Sequence, residues 1–108
     1  MIFHKNGDVD IRDDLYMIID RYGVSAQVDI AIEEMSELTK ALLKNRRNCN
    51  DFDRRLILKD EILKYRDDII EEIADVSIIL EQLKIIYDCE TEVKEQIIYK
   101  IKRQLDRM

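Results

Sequence analysis

With 108 residues, 46% hydrophobic and 39% charged, the chain has room for one domain with one modest core, and its two glycines are too few for a phosphate-cradling loop. Its net charge of −6 argues against duplex nucleic acid as a partner, since phosphate neutralisation needs a basic surface. His4 is the single histidine, which disfavours Ser-His-Asp and Cys-His chemistry, and Cys49 and Cys89 lack the His or Cys neighbours of metal and redox motifs.

The absence of proline, the abundance of Ile, Leu, Glu and Lys, and the lack of alternating apolar and polar stretches predict an all-α protein. Residues 1–10 lack the apolar core of a signal peptide and no apolar run approaches transmembrane length, so a reduced cytoplasm and no membrane contact are expected. A first helix is predicted over 11–22, with Gly23 where a C-capping glycine belongs. Ser25 can cap a second helix running to about residue 46, and Asn48, Asn50 and Asp51 mark a break. The charged segment 52–66 is only mildly helical in pattern. Residues 67–87 are strongly helical, 88–91 form a second break with Thr91 as a possible N-cap, and a last helix covers 92–107. The expectation is a single domain, 1–108, folded as a compact bundle of four to five helices.

Two acidic motifs stand out. The second helix carries Glu33-Glu34-Met35-Ser36-Glu37 and the third carries Glu71-Glu72-Ile73-Ala74-Asp75, both of the form acid-acid-x-x-acid. Either alone is also what a solvated helix face looks like. At 100° per residue, Val28, Ile32, Met35, Thr39 and Leu42 form the expected core stripe of the second helix, and Ile69, Ile73, Val76, Leu80 and Leu83 that of the third. Glu34 and Glu37 fall beside the first stripe, in line with Ile30 and Ala41. Glu72 and Asp75 fall beside the second, in line with Ile79 and Ile86. An acid on a strip shared with isoleucine is expected to be partly buried, and a buried carboxylate needs a compensating charge. The residues four positions on from these acids are Leu38, Ala41, Val76 and Ile79, none of them basic; only Glu37 has a basic residue three positions on, Lys40. If the two helices pack antiparallel, the acids can converge in the bundle. An all-oxygen ligand set selects Mg²⁺, or Mn²⁺ in its place, over zinc or copper. Such a centre suits hydrolysis of a phosphate ester or anhydride.

The run Ala31-Ile32-Glu33-Glu34-Met35-Ser36-Glu37-Leu38, followed by Lys40 and Ala41, resembles the first motif of the MazG-like all-alpha nucleoside triphosphate pyrophosphohydrolases. The run Ile70-Glu71-Glu72-Ile73-Ala74-Asp75-Val76 resembles their second, in the family order EExxE, spacer, ExxD. The resemblance implies that Glu34, Glu37, Glu72 and Asp75 bind metal and that Glu33, with Glu37, serves catalysis by positioning or deprotonating the attacking water. It implies hydrolysis of an NTP or dNTP at the α-phosphorus to the monophosphate and pyrophosphate. Basic residues would then steady the phosphates: Lys40, Lys44, Arg46 and Arg47 after the first motif, and Lys100, Arg103 and Arg107 on the last helix. Each of these also reads as an ordinary solvated charge. The spacer between Glu37 and Glu72 is longer than the family's, so 52–66 reads as an insertion: an extended connection, an extra helix or a lid. Family members are dimers or tetramers, and Ile and Leu here are too plentiful for one small chain to bury, so a homodimer or homotetramer is expected. The readings left open are a non-catalytic helical nucleotide-binding relative and a helical interaction module. The latter would show an unbroken heptad, where this chain has breaks.

Overall fold

A helix that meets a residue in the left-handed region ends there, and Gly23, at φ +92°, does this to α1 (Ile11–Tyr22). Its N–H donates to the Ile19 carbonyl at 2.8 Å, while its own carbonyl accepts from Gln27 at 3.1 Å. One glycine thus closes α1 and opens α2 (Val24–Asn48), and Ser25 lies inside the second helix instead of capping it. The computed structural model describes residues 11–48 and 55–108, and the side chains of these except 48 and 55–64. Among the described residues there are four helices and no strand, α3 (Arg55–Ile86) and α4 (Glu90–Asp106) completing the set.

The third helix starts twelve residues before the expected residue 67, at Arg55. The segment read as an insertion is therefore, from Arg55 on, the beginning of α3 itself, a 32-residue helix. The expected break at 48–51 falls largely outside the described residues, as do His4 and Cys49. The second break is present and is built on Asp88, at φ +49°. The Cys89 N–H reaches the Lys84 carbonyl at 3.0 Å and the Asp88 N–H reaches Ile85 at 3.1 Å, the paired bonds of a Schellman ending. Cys89, not Thr91, precedes the first turn of α4, with no side-chain cap; Glu90 and Glu92 in that turn suit the positive end of the helix dipole.

The main interface is α2 against α3, and α1, whose buried residue is Leu15, packs on both. Along α2 the inward positions are Gln27, Ala31, Glu34, Leu38, Ala41 and Asn45, at heptad spacing. Along α3 they include Glu72, Asp75, Val76, Ile79 and Gln82. This corrects the expected core stripes. Val76 is buried and Val28, Ile69 and Leu83 are half-buried, but Thr39 is exposed, Ile32 is 60% exposed, Leu42 47%, Ile73 49% and Leu80 46%, with Met35 at 40%. The small side chains of Ala31 and Ala41 let the helices approach on the acid-bearing side, and the bulky stripes turn outward. The radius of gyration, 17.0 Å, exceeds the roughly 13 Å of a compact 100-residue domain, so the single chain is more open than the expected compact bundle.

The last helix, α4, touches α3 and is tied to α1 by Arg12, whose Nη1 lies 2.6 Å from Glu90 Oε2. It has no buried residue, and Ile97, Ile98, Ile101 and Leu105 are all exposed. No described helix is long and apolar enough to cross a membrane.

Candidate metal centre

Gln27 meets Gln82, and Glu34 meets Asp75, so residue numbers rise on α2 as they fall on α3. Glu72, one turn before Asp75 on α3, shares its face. Glu34, Glu72 and Asp75 thereby come together, each half-buried, and one oxygen from each lies within 4.8 Å of the others. The expectation that these strips are partly buried holds for all four motif acids, Glu37 included.

The electrostatics are those of an unneutralised cluster. Burial, then the charge of Asp75 and a hydrogen bond shared with it, then the charges of Glu72 and Glu33, hold Glu34 above the ordinary carboxylate range. Burial, then Asp75, Glu37, Glu71 and Asp68, do the same to Glu72. Every influence on these two carboxyls pushes the same way, and Glu72 Oε2 is buried without a hydrogen-bond partner. The arrangement therefore fits a hard divalent cation. Oxygens on opposite sides of one Mg²⁺ stand about 4.2 Å apart, inside the 4.8 Å within which the three carboxylate oxygens lie.

Glu37 stands apart from this trio. Its Oε1 lies 3.3 Å from Lys40 Nζ, and its charge is felt at Glu72. Glu33 is exposed, next to Glu34 on α2. Lys40, Lys44, Arg46 and Arg47 follow the acids along α2, all exposed, with Lys40 engaged by Glu37. Lys100, Arg103 and Arg107 are exposed near the end of the chain, Lys100 and Arg103 on α4 with the Arg103 guanidinium 5.6 Å from the Tyr99 ring centre, and α4 makes no contact with α2 among the described residues. The structure does not bring them to the acids within one chain.

Sequence reasoning missed Gln27, Asn45 and Gln82, the buried polar side chains of the described interior. A signal existed for two of them. Gln27 stands seven residues before Glu34 and Gln82 seven after Asp75, on the same heptad stripes as the acids. Compared with protein-family models, curated proteins and solved structures, the chain matches none.

Proposed function

We propose that this chain is a metal-dependent nucleoside triphosphate pyrophosphohydrolase of the MazG-like kind, converting an NTP or dNTP to its monophosphate and pyrophosphate. The observation that carries the reading is the convergence of Glu34, Glu72 and Asp75 from two separate helices, with a buried carboxylate oxygen of Glu72 left unpartnered. Surface acids spread apart and pair with lysines; these do neither. The descending register of α2 against α3 supports antiparallel packing of the motif helices, the arrangement under which the acids are expected to converge.

Glu34, Glu72 and Asp75 would hold Mg²⁺ or Mn²⁺, with Glu37 as the nearest further acid. The ion would supply Lewis-acid stabilisation of charge on the phosphate oxygens. Glu33, exposed beside Glu34, is free of the cluster and suited to accept a proton from the attacking water. Lys40 steadies Glu37 at 3.3 Å and, with Lys44 and Arg47 further along α2, offers positive charge to the phosphates. Lys100 and Arg103 can serve only if α4 of another copy reaches the site.

A second copy is part of the proposal, as a homodimer or homotetramer. The outward stripes of Ile32, Met35 and Leu42 on α2 and of Ile73 and Leu80 on α3 form apolar surface that water disfavours. Ser36 and Thr39 already donate their hydroxyls to the Ile32 and Met35 carbonyls, at 3.0 and 2.9 Å, so these polar side chains can be covered at little cost. An interaction module would have the same stripes but no need of the acid cluster.

The test is pyrophosphate release from a panel of NTPs and dNTPs with Mg²⁺ or Mn²⁺, on wild type, Glu72→Gln and Asp75→Asn. Release by wild type and its loss in both variants is the expected result. A wild type inert on every nucleotide with either metal refutes the enzyme reading.

A further inference from the structure

Beyond the acids, the α2–α3 interface buries a pair of amides. Gln27 and Gln82 are each 3% exposed, and Gln27 Nε2 donates to Gln82 Oε1 at 2.8 Å. The remaining oxygen of Gln27, Oε1, is buried with no partner. A buried acceptor left unpaired costs more than the hydrogen bond beside it returns, so its persistence calls for an explanation. Both amides line a cavity of about 170 Å³, open to solvent, whose walls are Ile30 from α2 and Ile78 and Ile79 from α3. The same cavity is bounded by Glu34 and Asp75. Seven helical residues separate amides from acids on each helix, about 10 Å of rise. Amides, isoleucines and metal-binding acids therefore follow one another along a single groove.

We infer that this groove binds the base of the nucleotide, that the base is a pyrimidine, and that Gln27 and Gln82 read its edge. The inference rests on the pyrophosphohydrolase reading and names its substrate class. Size is the first argument. An apolar cavity of about 150 Å³ holds one benzene ring, so this space of about 170 Å³ is matched to one six-membered ring, and the second ring of a purine would lie in its open mouth without apolar cover. Polarity is the second. Branched aliphatic side chains from both helices suit the flat faces of a ring, and a lone amide acceptor requires an N–H on its edge. Cytosine presents its amino group there and uracil its ring N–H. Direction is the third. A triphosphate needs the cation, so the phosphates lie at the acids and the base at the amides.

The test uses the whole chain with Mn²⁺. Wild type should show KM values for dCTP or dUTP roughly tenfold or more below those for dATP and dGTP. The double variant Gln27→Leu/Gln82→Leu removes both amides together and leaves no buried orphan. Its KM for the preferred pyrimidine should rise roughly ten- to a hundredfold, closing the gap with the purines. Mn²⁺ affinity, which reads the acids alone, separates this from damage to the metal centre; a parallel loss of Mn²⁺ binding overturns the assignment of the amides to the ring. Should the double variant not fold, saturation-transfer NMR on wild type with deoxycytidine monophosphate decides. Transfer from isoleucine methyls to the ring H5 and H6 supports the base pocket, and its absence overturns it. Hydrolysis of all four dNTPs with equal KM defeats the base pocket and leaves the enzyme standing. Failure to bind Mn²⁺ or to hydrolyse any of them defeats the enzyme reading itself, and the pocket with it.

Discussion

Glu72→Gln should make the metal-free protein more stable at neutral pH and the metal-loaded protein less so. Glu34 and Glu72 are held above their ordinary value of 4.5 by burial first and by neighbouring acids next. A carboxyl raised on folding binds its proton more tightly in the folded state than in the unfolded one. In the window that opens near 4.5 and extends upward, the folded state therefore carries more protons, and stability falls as pH rises. Below that window both states are protonated and the penalty is gone. Glutamine at position 72 keeps the shape, removes one charge and can donate to Asp75, so the metal-free variant should melt above wild type at pH 7.5 and show a shallower decline with pH. Mn²⁺ reverses the order. At a hundredfold excess over its Kd, a ligand of the folded state alone contributes about 2.7 kcal/mol. That corresponds to a rise in Tm of about 5 to 20 °C, the lower figure applying if two chains unfold together. Wild type should gain this at pH 7.5 and much less at pH 5, and the variant should gain little at either. Circular-dichroism melts with EDTA or Mn²⁺ at the two pH values provide the readout. A metal-free variant that melts below wild type at pH 7.5 would falsify the picture of a repelling cluster.

The amide pair offers a stability cycle of its own: Gln27→Leu alone should cost about 1–3 kcal/mol, because it strands the buried Gln82 oxygen, whereas the double Leu variant should be nearly neutral in urea unfolding. Equal costs for single and double would show that the hydrogen bond is immaterial. Ile73→Asp puts a charge on the outward stripe of α3 and should shift the protein toward monomer in sedimentation equilibrium, while an unchanged mass would remove that face from the interface. Asp88 holds a left-handed conformation, φ +49°, that glycine adopts more readily, so Asp88→Gly should raise stability by about 0.5–1 kcal/mol. A loss of stability there would mean that the Asp88 carboxylate supports the turn in a way that glycine cannot.

The helices and the breaks at Gly23 and Asp88 were legible because glycine, Asp and apolar periodicity act locally. Gly23 ends α1 as its conformational freedom suggests. The beginning of α3 was not legible: residues 55–66 mix charges with Ile and Leu in a weak pattern, and Arg55 carries no capping signature. Spacing brought Glu34, Glu72 and Asp75 to notice, and it also marked Lys40 as the basic neighbour of Glu37, the acid that stands outside the trio. The amides escaped because a neutral side chain gives no charge pattern, and the heptad spacing that ties Gln27 to Glu34 and Gln82 to Asp75 tells only once the acids are known to face inward.

Where the reading inverted, it did so for one physical reason. Periodicity identifies the face that must be covered but not what covers it. Here α2 and α3 cover each other with acids, amides and alanines beside Leu38, Val76 and Ile79, and leave Ile32, Leu42, Ile73 and Leu80 outside. The acidic part of this interior is a poor source of stability, since half-buried carboxylates that repel one another destabilise unless a cation joins them, and exposed isoleucines contribute little unless a surface meets them. The two remedies act on opposite sides of the same pair of helices. On the proposed reading, metal would draw α2 and α3 together from within, and a second copy would clamp them from without. Assembly should therefore narrow the spread of the three carboxylates and tighten Mn²⁺ binding. By linkage, Mn²⁺ should strengthen assembly by the same factor. Measuring the dimer dissociation constant with and without Mn²⁺ tests this directly: if the metal leaves it unchanged, the inner and outer faces are energetically independent and the centre is complete in a single chain.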